Sequence, residues 1–372
     1  MEITAAKIKR AIREPSYLAE VGKRRVENLN AFRERHTEIA APPKSITLFL
    51  TSICNLRCRM CAQYGESGTS LGIPKEVPPT DVVLRAIEEL APYGTRFTLM
   101  GGEPTLNPDW FKIVQAIKSH GLSCEIITNG TMLSRNADRF VESGIDQVNL
   151  SCDGLGEAND QIRGKGVFAK IEEGLDRLIE ARKDNGSEHP SITILHTINR
   201  PNYTQLVKFA EWAATKEVRA VIYQHLRFYS ENDFRNNSEF MLEHFDQDTE
   251  LQSGFVFEPG EFDTEVLFEQ IRTLKSREWP FYLGFQPDHP LEELDDYYHD
   301  PNYKRRDVYD CSVPWEGAAI DPSCQVIPCM DYICGDLREE SFMDIWNGER
   351  YRKFRATIRE HGRTPICHRC CI

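Results

Sequence analysis

Between residues 45 and 225 the chain alternates short apolar runs with longer stretches in which apolar positions return every three to four residues. The runs at 46–50, 96–100, 124–128, 147–152, 192–197 and 219–224 are rich in Ile, Val, Leu, Thr or Phe and are short enough for strands. In the gaps, Val83, Ala86, Ile87 and Leu90 share one helical face. Asn107-Pro108 ahead of a stretch at 110–120, with Gly121 behind it, supplies helix-start and helix-stop chemistry. Strand-then-helix units repeated in this way predict a parallel βα architecture.

Outside that stretch the rhythm changes. Residues 1–44 are charged and helix-prone and end at Ala41-Pro42-Pro43, which reads as a linker. Beyond the sixth run the text turns aromatic and acidic, with one helix expected over 263–276, and the tail is rich in cysteine with a helical stretch around 341–358. The division this predicts is an N-terminal helical segment at 1–44, a barrel at 45–235, a connector and active-site cap at 236–306, and a cysteine-rich domain at 307–372.

Composition narrows the function. Of 372 residues 40% are hydrophobic and 28% charged, and no apolar run is long enough to span a bilayer. The N-terminus lacks the apolar core of a secretory signal, so a cytoplasmic location with reduced thiols is expected. A net charge of −13 argues against general nucleic-acid or anionic-membrane binding. The twelve cysteines lie as three in 54–61 and seven in 311–371, with only Cys124 and Cys152 elsewhere. In a reducing compartment such clustering points to metal rather than disulfides.

Cys54-x3-Cys58-x2-Cys61 follows the first expected strand directly, at the rim where parallel barrels build active sites. Three soft thiolates from one tight loop suit an iron–sulfur cubane and leave one iron without a protein ligand. Structural zinc closes four ligands, and no fourth Cys or His stands nearby. This motif resembles that of the radical S-adenosylmethionine (SAM) superfamily, in which SAM chelates the open iron of a [4Fe–4S] cluster and is reductively cleaved to a 5′-deoxyadenosyl radical. The resemblance implies a partial (βα)6 TIM barrel. Met60 stands where the family usually has an aromatic beside the adenine. Gly101-Gly102-Glu103-Pro104 resembles the family's Gly-Gly-Glu-Pro motif, which receives the SAM ammonium. By the same resemblance Asn129, Ser151, Arg163 and Asn199 are expected around SAM, although Asn199 serves equally well as a turn cap.

In the tail, Cys311, Cys329, Cys367 and Cys370 supply four thiolates, enough to close a second cubane. The surrounding text resembles the SPASM/Twitch extensions of radical SAM enzymes, which implies one auxiliary [4Fe–4S] cluster. Cys324 replaces a usual glycine, and the chain stops two residues after Cys370, so the two-cluster pattern is not expected in its usual spacing. Cys371 is an alternative ligand to Cys370, zinc is an alternative occupant, and Cys334 is left over with Cys324.

Two clusters imply hydrogen abstraction followed either by oxidation, with the auxiliary cluster accepting an electron, or by epimerisation, with a cysteine such as Cys324 or Cys152 returning hydrogen. His196, Gln224, His225 and Arg227 lie at or beyond late strand ends and are candidates to face the substrate, the histidines as acid–base groups. The resemblance favours a polar small molecule such as a sugar or aminocyclitol over a ribosomally made peptide. A flavodoxin- or ferredoxin-type donor would supply electrons. A non-catalytic electron carrier would need neither Gly-Gly-Glu-Pro nor Ser151 and Arg163.

Overall fold

The computed structural model describes residues 38–65, 68–70, 75–249, 251–260, 262–305, 311–329 and 331–370. The helical segment expected at 1–44 falls almost wholly outside them, as does Cys371.

Seven parallel strands form the body: β1 (Ser45–Phe49), β2 (Arg96–Met100), β3 (Cys124–Thr128), β4 (Gln147–Ser151), β5 (Ser191–Ile198), β6 (Ala220–His225) and β7 (Tyr282–Gln286). They lie side by side in chain order. The crossovers carry α1 (Thr80–Leu90), α2 (Trp110–Ser119), α3 (Leu133–Glu142), α4 (Glu157–Arg163), α5 (Val167–Asp184) and α6 (Leu206–Ala213). β7, inside the expected connector, is a strand that periodicity missed, because Gly284 interrupts its apolar run. The chain reaches it through α7 (Glu231–Phe245) and α8 (Thr264–Ser276), and leaves through α9 (Leu294–His299).

Strand parity builds two different faces. Ile46, Leu48, Phe97, Leu99, Ile126, Val148 and Leu150 point to the helix layer and are buried, meeting the apolar stripe Val83, Ala86, Ile87 and Leu90 of α1 and its counterparts. Each such side chain contributes about 1.5–3 kcal/mol on leaving water. The alternate residues turn to the concave face, where Thr98, Glu125, Gln147 and Asn149 form a hydrogen-bonded row: Glu125 accepts from the Thr98 hydroxyl at 2.8 Å and from the amides of Gln147 and Asn149 at 3.2 and 3.1 Å.

The tail extends the same sheet. β8 (Gly317–Ile320) pairs parallel to β1, and β9 (Gln325–Ile327) and β10 (Gly335–Asp336) continue antiparallel beyond it, giving a ten-stranded sheet. A short turn of helix, α10 (Val313–Glu316), precedes β8. The helical stretch expected at 341–358 divides at Asn347-Gly348 into α11 (Phe342–Trp346) and α12 (Glu349–His361). Arg355 of α12, fully buried, stacks on Trp346 and Tyr351 and donates to the carbonyl of Pro314, tying α12 to the segment entering β8.

Candidate active site

The loop bearing Cys54, Cys58 and Cys61 leaves β1 at the C-terminal rim and is held from the ends of β2 and β3 and from α4. From β2, the amides of Gly102 and Glu103 each donate at 2.8 Å, to Thr51 O and Ile53 O. The approach is too close for any side chain, since a Cβ on Gly102 would lie 2.2 Å from Ile53 O. From β3, Asn129 donates to Asn55 Oδ1 at 2.9 Å and faces the Cys54 sulfur at 4.0 Å. From α4, the carbonyl of Ile162 accepts from Arg59 N at 2.9 Å.

Glu103 is fully buried. One carboxylate oxygen accepts from the amide and hydroxyl of Thr105 at 3.2 and 2.5 Å and from the Thr128 hydroxyl at 2.7 Å; the other accepts from Asn129 N at 2.7 Å. Burial pushes its pKa up against these hydrogen bonds. The structure thus gives Glu103 the job of fixing the β2 and β3 turns against each other.

Arg163 is buried, with Nε 2.7 Å from Oδ2 of Asp153. Its charge reaches Cys58, whose thiol burial pushes up to about 11 while Arg163 pulls it down. Asp153, which sequence reasoning passed over, is the hub of this corner. Its other oxygen accepts from Thr197 N at 2.7 Å and its carbonyl accepts from Asn202 at 2.7 Å. The signal was present as an acidic residue at a strand end ten residues before an arginine. Ser151 is half-buried on the concave face, Met60 packs against the core, and Asn199 donates to Thr197 O at 2.9 Å as a turn cap.

The histidines lie elsewhere. His196 shares parity with Ile192, Ile194 and Ile198, all buried, and its ring sits against Phe209 of α6 and its register partner Tyr223. Burial lowers its pKa to about 4. His225 shares parity with Tyr223, is equally buried, and meets the Tyr298 hydroxyl at 2.9 Å through Nδ1. Both face the helix layer, whereas Gln224 stays half-buried on the concave side. Cys152 also points outward, fully buried, its thiol donating to Gly154 O at 3.5 Å. Cys324 is fully buried in the β8–β9 turn at φ +64°, and its charged neighbours Arg338, Asp336, Asp321 and Asp81 belong to neither thiol set. The structure brings none of these four to Cys54, Cys58 and Cys61.

The tail thiols do come together. Burial pushes Cys311 up to about 12, and the charges of Cys367 and Cys370 add to it; Cys329 is raised by burial and then by Cys367, Cys370 and Cys311. Cys329 is solvent-exposed yet packed about by protein, the setting of a thiol lining a recess. Among the described residues, no three His, Cys, Asp or Glu side chains converge on one point as a single ion requires. Four soft thiolate donors gathered in one place fit a cubane, which takes one cysteine sulfur on each of its irons. The first set fits in the same way: three mutually repelling thiols beside a glycine turn with no room for a side chain.

A run of contacts links the two sets. Gly254 lies against the cysteine loop so closely that a Cβ would stand 2.0 Å from Ala62 O. The next residue, Phe255, carries the Arg227 guanidinium 4.6 Å from its ring centroid; burial pushes the thiols of Cys329 and Cys367 up, and the Arg227 charge offsets part of that rise. Arg227, placed by sequence near the substrate, packs on Tyr229 and Phe255, and its charge reaches the second thiol set.

Comparison with known proteins agrees with this geometry. Residues 48–213 match the model of the radical SAM superfamily, and residues 311–371 match that of the SPASM iron–sulfur cluster-binding domain. The chain is a radical SAM protein with a SPASM domain. Such proteins bind [4Fe–4S] clusters and SAM. This radical SAM chain is 24% identical, over 88% of its length and 87% of the relative's, to a tungsten-containing aldehyde ferredoxin oxidoreductase cofactor-modifying protein of Pyrococcus furiosus. It is 27% identical to the AdoMet-dependent heme synthase of Methanosarcina barkeri, over 87% and 88% of the two chains. In fold it is similar to SuiB of Streptococcus suis bound to S-adenosylmethionine, with a TM-score of 0.61 and 15% identity over 94% of this chain and 76% of that one. Among the described residues no helix is long and apolar enough to cross a membrane.

Proposed function

We propose that this chain is a radical SAM oxidoreductase that dehydrogenates a neutral or amine-bearing polar small molecule. In this reading Cys54, Cys58 and Cys61 hold the SAM-binding cluster, and Cys311, Cys329, Cys367 and Cys370 hold one auxiliary cluster. The first group supplies reductive cleavage of SAM to a hydrogen-abstracting radical, and the second supplies a one-electron acceptor. The chain's own part is to hold both thiol sets, orient the substrate between them and keep competing groups away.

The observation that carries this reading is the run of contacts from Ala62 through Gly254 and Phe255 to Arg227, whose charge acts on Cys329 and Cys367. It favours oxidation, which needs the second set within reach. Epimerisation needs a cysteine in the cleft, and Cys152 and Cys324 are buried away from it. The substrate class rests on the concave strand face, where Ser151, Thr197 and Gln224 offer hydroxyls and an amide beside the hydrogen-bonded row of Thr98, Glu125, Gln147 and Asn149. Among the strand residues of that face, Glu125 is the lone anion, and the one cation is the exposed Arg96 at its floor. Such a wall suits hydroxyls and amines better than phosphates or carboxylates.

The test is a screen of polyols, amino sugars and aminocyclitols with the anaerobically reconstituted, reduced chain, following 5′-deoxyadenosine and product mass. A product lacking two hydrogen atoms is expected. A product of unchanged mass that takes up one solvent deuterium in D2O would replace oxidation by epimerisation, and turnover with peptides alone would overturn the substrate class.

A further inference from the structure

The carboxamide of Asn129 touches a thiol of the first set, and its surroundings fix which way it points. Asn129 follows β3, is 8% exposed, and its backbone N–H donates to the Glu103 carboxylate at 2.7 Å. Its Oδ1 accepts twice from Thr131, from the amide at 3.0 Å and from the hydroxyl at 2.7 Å. A carboxamide has one acceptor oxygen and two N–H donors, so an oxygen held in this way leaves Nδ2 to face the cysteine loop. One of its hydrogens goes to Asn55 Oδ1 at 2.9 Å, and Asn55 Nδ2 donates in turn to the Thr131 hydroxyl at 2.8 Å, closing a ring of three side chains. The partner of the other is the Cys54 sulfur, 4.0 Å from Nδ2 and larger than an oxygen acceptor. That sulfur also accepts from Leu56 N at 3.4 Å. Among the described residues no other hydrogen bond reaches the sulfurs of Cys54, Cys58 and Cys61, so one thiol of the three is singled out. Hydrogen bonds to the sulfurs are among the levers on an iron–sulfur cluster's reduction potential, and a buried one is little screened.

We infer that Asn129 is a positioning residue that donates an N–H···S bond to Cys54 and so holds up the reduction potential of the cluster on the first thiol set. The inference rests on the reading above that Cys54, Cys58 and Cys61 hold that cluster. A donor on the sulfur draws off negative charge, which favours the form with one more electron and eases reduction by an external donor. The ring with Asn55 and Thr131 keeps the amide from flipping, which would turn Oδ1 and its lone pairs to the sulfur instead.

The experiment uses the full chain carrying Cys329→Ala and Cys367→Ala, so that the cluster observed is the first one. It is titrated potentiometrically without SAM, with the reduced-state electron paramagnetic resonance signal as readout. In this background Asn129→Leu, similar in shape but without a donor, is expected to lower the reduced-to-oxidised ratio at fixed potential about threefold, which is about 28 mV for one electron. Asn55→Ala opens the ring but leaves Oδ1 on Thr131 and Nδ2 on Cys54, so it should move the ratio much less. A second measurement leaves the site unaltered: with isotope-labelled nitrogen in the asparagine side chains, electron–nuclear double resonance of the reduced cluster should show a coupling to that nitrogen. An unchanged potential in Asn129→Leu at full iron content overturns the inference, and so does an equal shift in Asn55→Ala, which would make loop geometry rather than the donor decisive. Should Asn129→Leu load no iron, the coupling decides, and its absence overturns the inference. If the parent carrying Cys329→Ala and Cys367→Ala itself takes up no iron, the three-thiol reading falls instead.

Discussion

At the scale of single residues, the side chains around the cysteine loop act mostly on one another. Arg163 and Asp153 are a buried pair, so removing one partner leaves the other charged in a dry corner. Arg163→Met should therefore cost about 3–5 kcal/mol, read from the denaturant midpoint, while Asp153→Asn combined with it recovers most of the loss. Equal losses in the single and double variants would show that the corner depends on packing rather than charge. His196 gives a second test at this scale. Its folded pKa of about 4 lies below the ordinary value of 6.5, so the unfolded chain binds the proton more readily. Stability attributable to His196 is complete above pH 6.5 and is lost as pH falls towards 4, by on the order of 3 kcal/mol. His196→Phe should abolish that acid sensitivity in thermal melts at pH 5 and leave turnover intact; a collapse of turnover would restore a catalytic role. The outward direction of His196 was legible in its parity with Ile192, Ile194 and Ile198. The surroundings of Glu103 and Arg163 were not, because their partners Asn129 and Asp153 are met only when separate strand ends are laid side by side.

Elements show the same division between local and long-range information. All six expected strands form, with ends within one residue of the periodic runs, because each needs only a short apolar stretch bounded by polar residues. The helix expected at 263–276 forms as Thr264–Ser276, with the Asp263 carboxylate accepting from Val266 N. Hidden from the sequence were β7 and the pairing of β8 with β1, which joins segments far apart in the chain, and the seat of the 3-10 turn Leu251–Phe255 on the cysteine loop. That seat gives the prediction proper to this scale. Gly254→Ala puts a methyl 2.0 Å from Ala62 O, which backbone cannot absorb without moving. The turn should lift, at a cost of about 1–3 kcal/mol, and carry the Phe255 ring away from Arg227. The expected signature is a lower melting temperature together with a changed spectrum of the SAM-bound first cluster. An unchanged spectrum with unchanged melting would mean that the turn does not rest on the loop in solution.

For the whole molecule, the decisive feature is that barrel and tail share one sheet while their thiols form two separate sets. A shared sheet implies one cooperative unit, so substitutions in either set should leave a single unfolding transition. The chemistry, by contrast, should separate cleanly. Cys54→Ala, Cys58→Ala and Cys61→Ala together remove the donor set beside the glycine turn, and 5′-deoxyadenosine formation should vanish while the iron of the tail remains. Cys329→Ala with Cys367→Ala removes two of the four mutually repelling tail thiols, and SAM cleavage should persist while the dehydrogenated product is lost. That asymmetry follows from the direction of the proposed oxidation, in which the first set starts the reaction and the second receives what it releases. If the tail variant instead loses SAM cleavage although its first cluster is spectroscopically intact, then the contact run through Phe255 and Arg227 carries electrons towards the first set. The tail would then be an entry port for the external reductant, and the oxidation of substrate would need another acceptor.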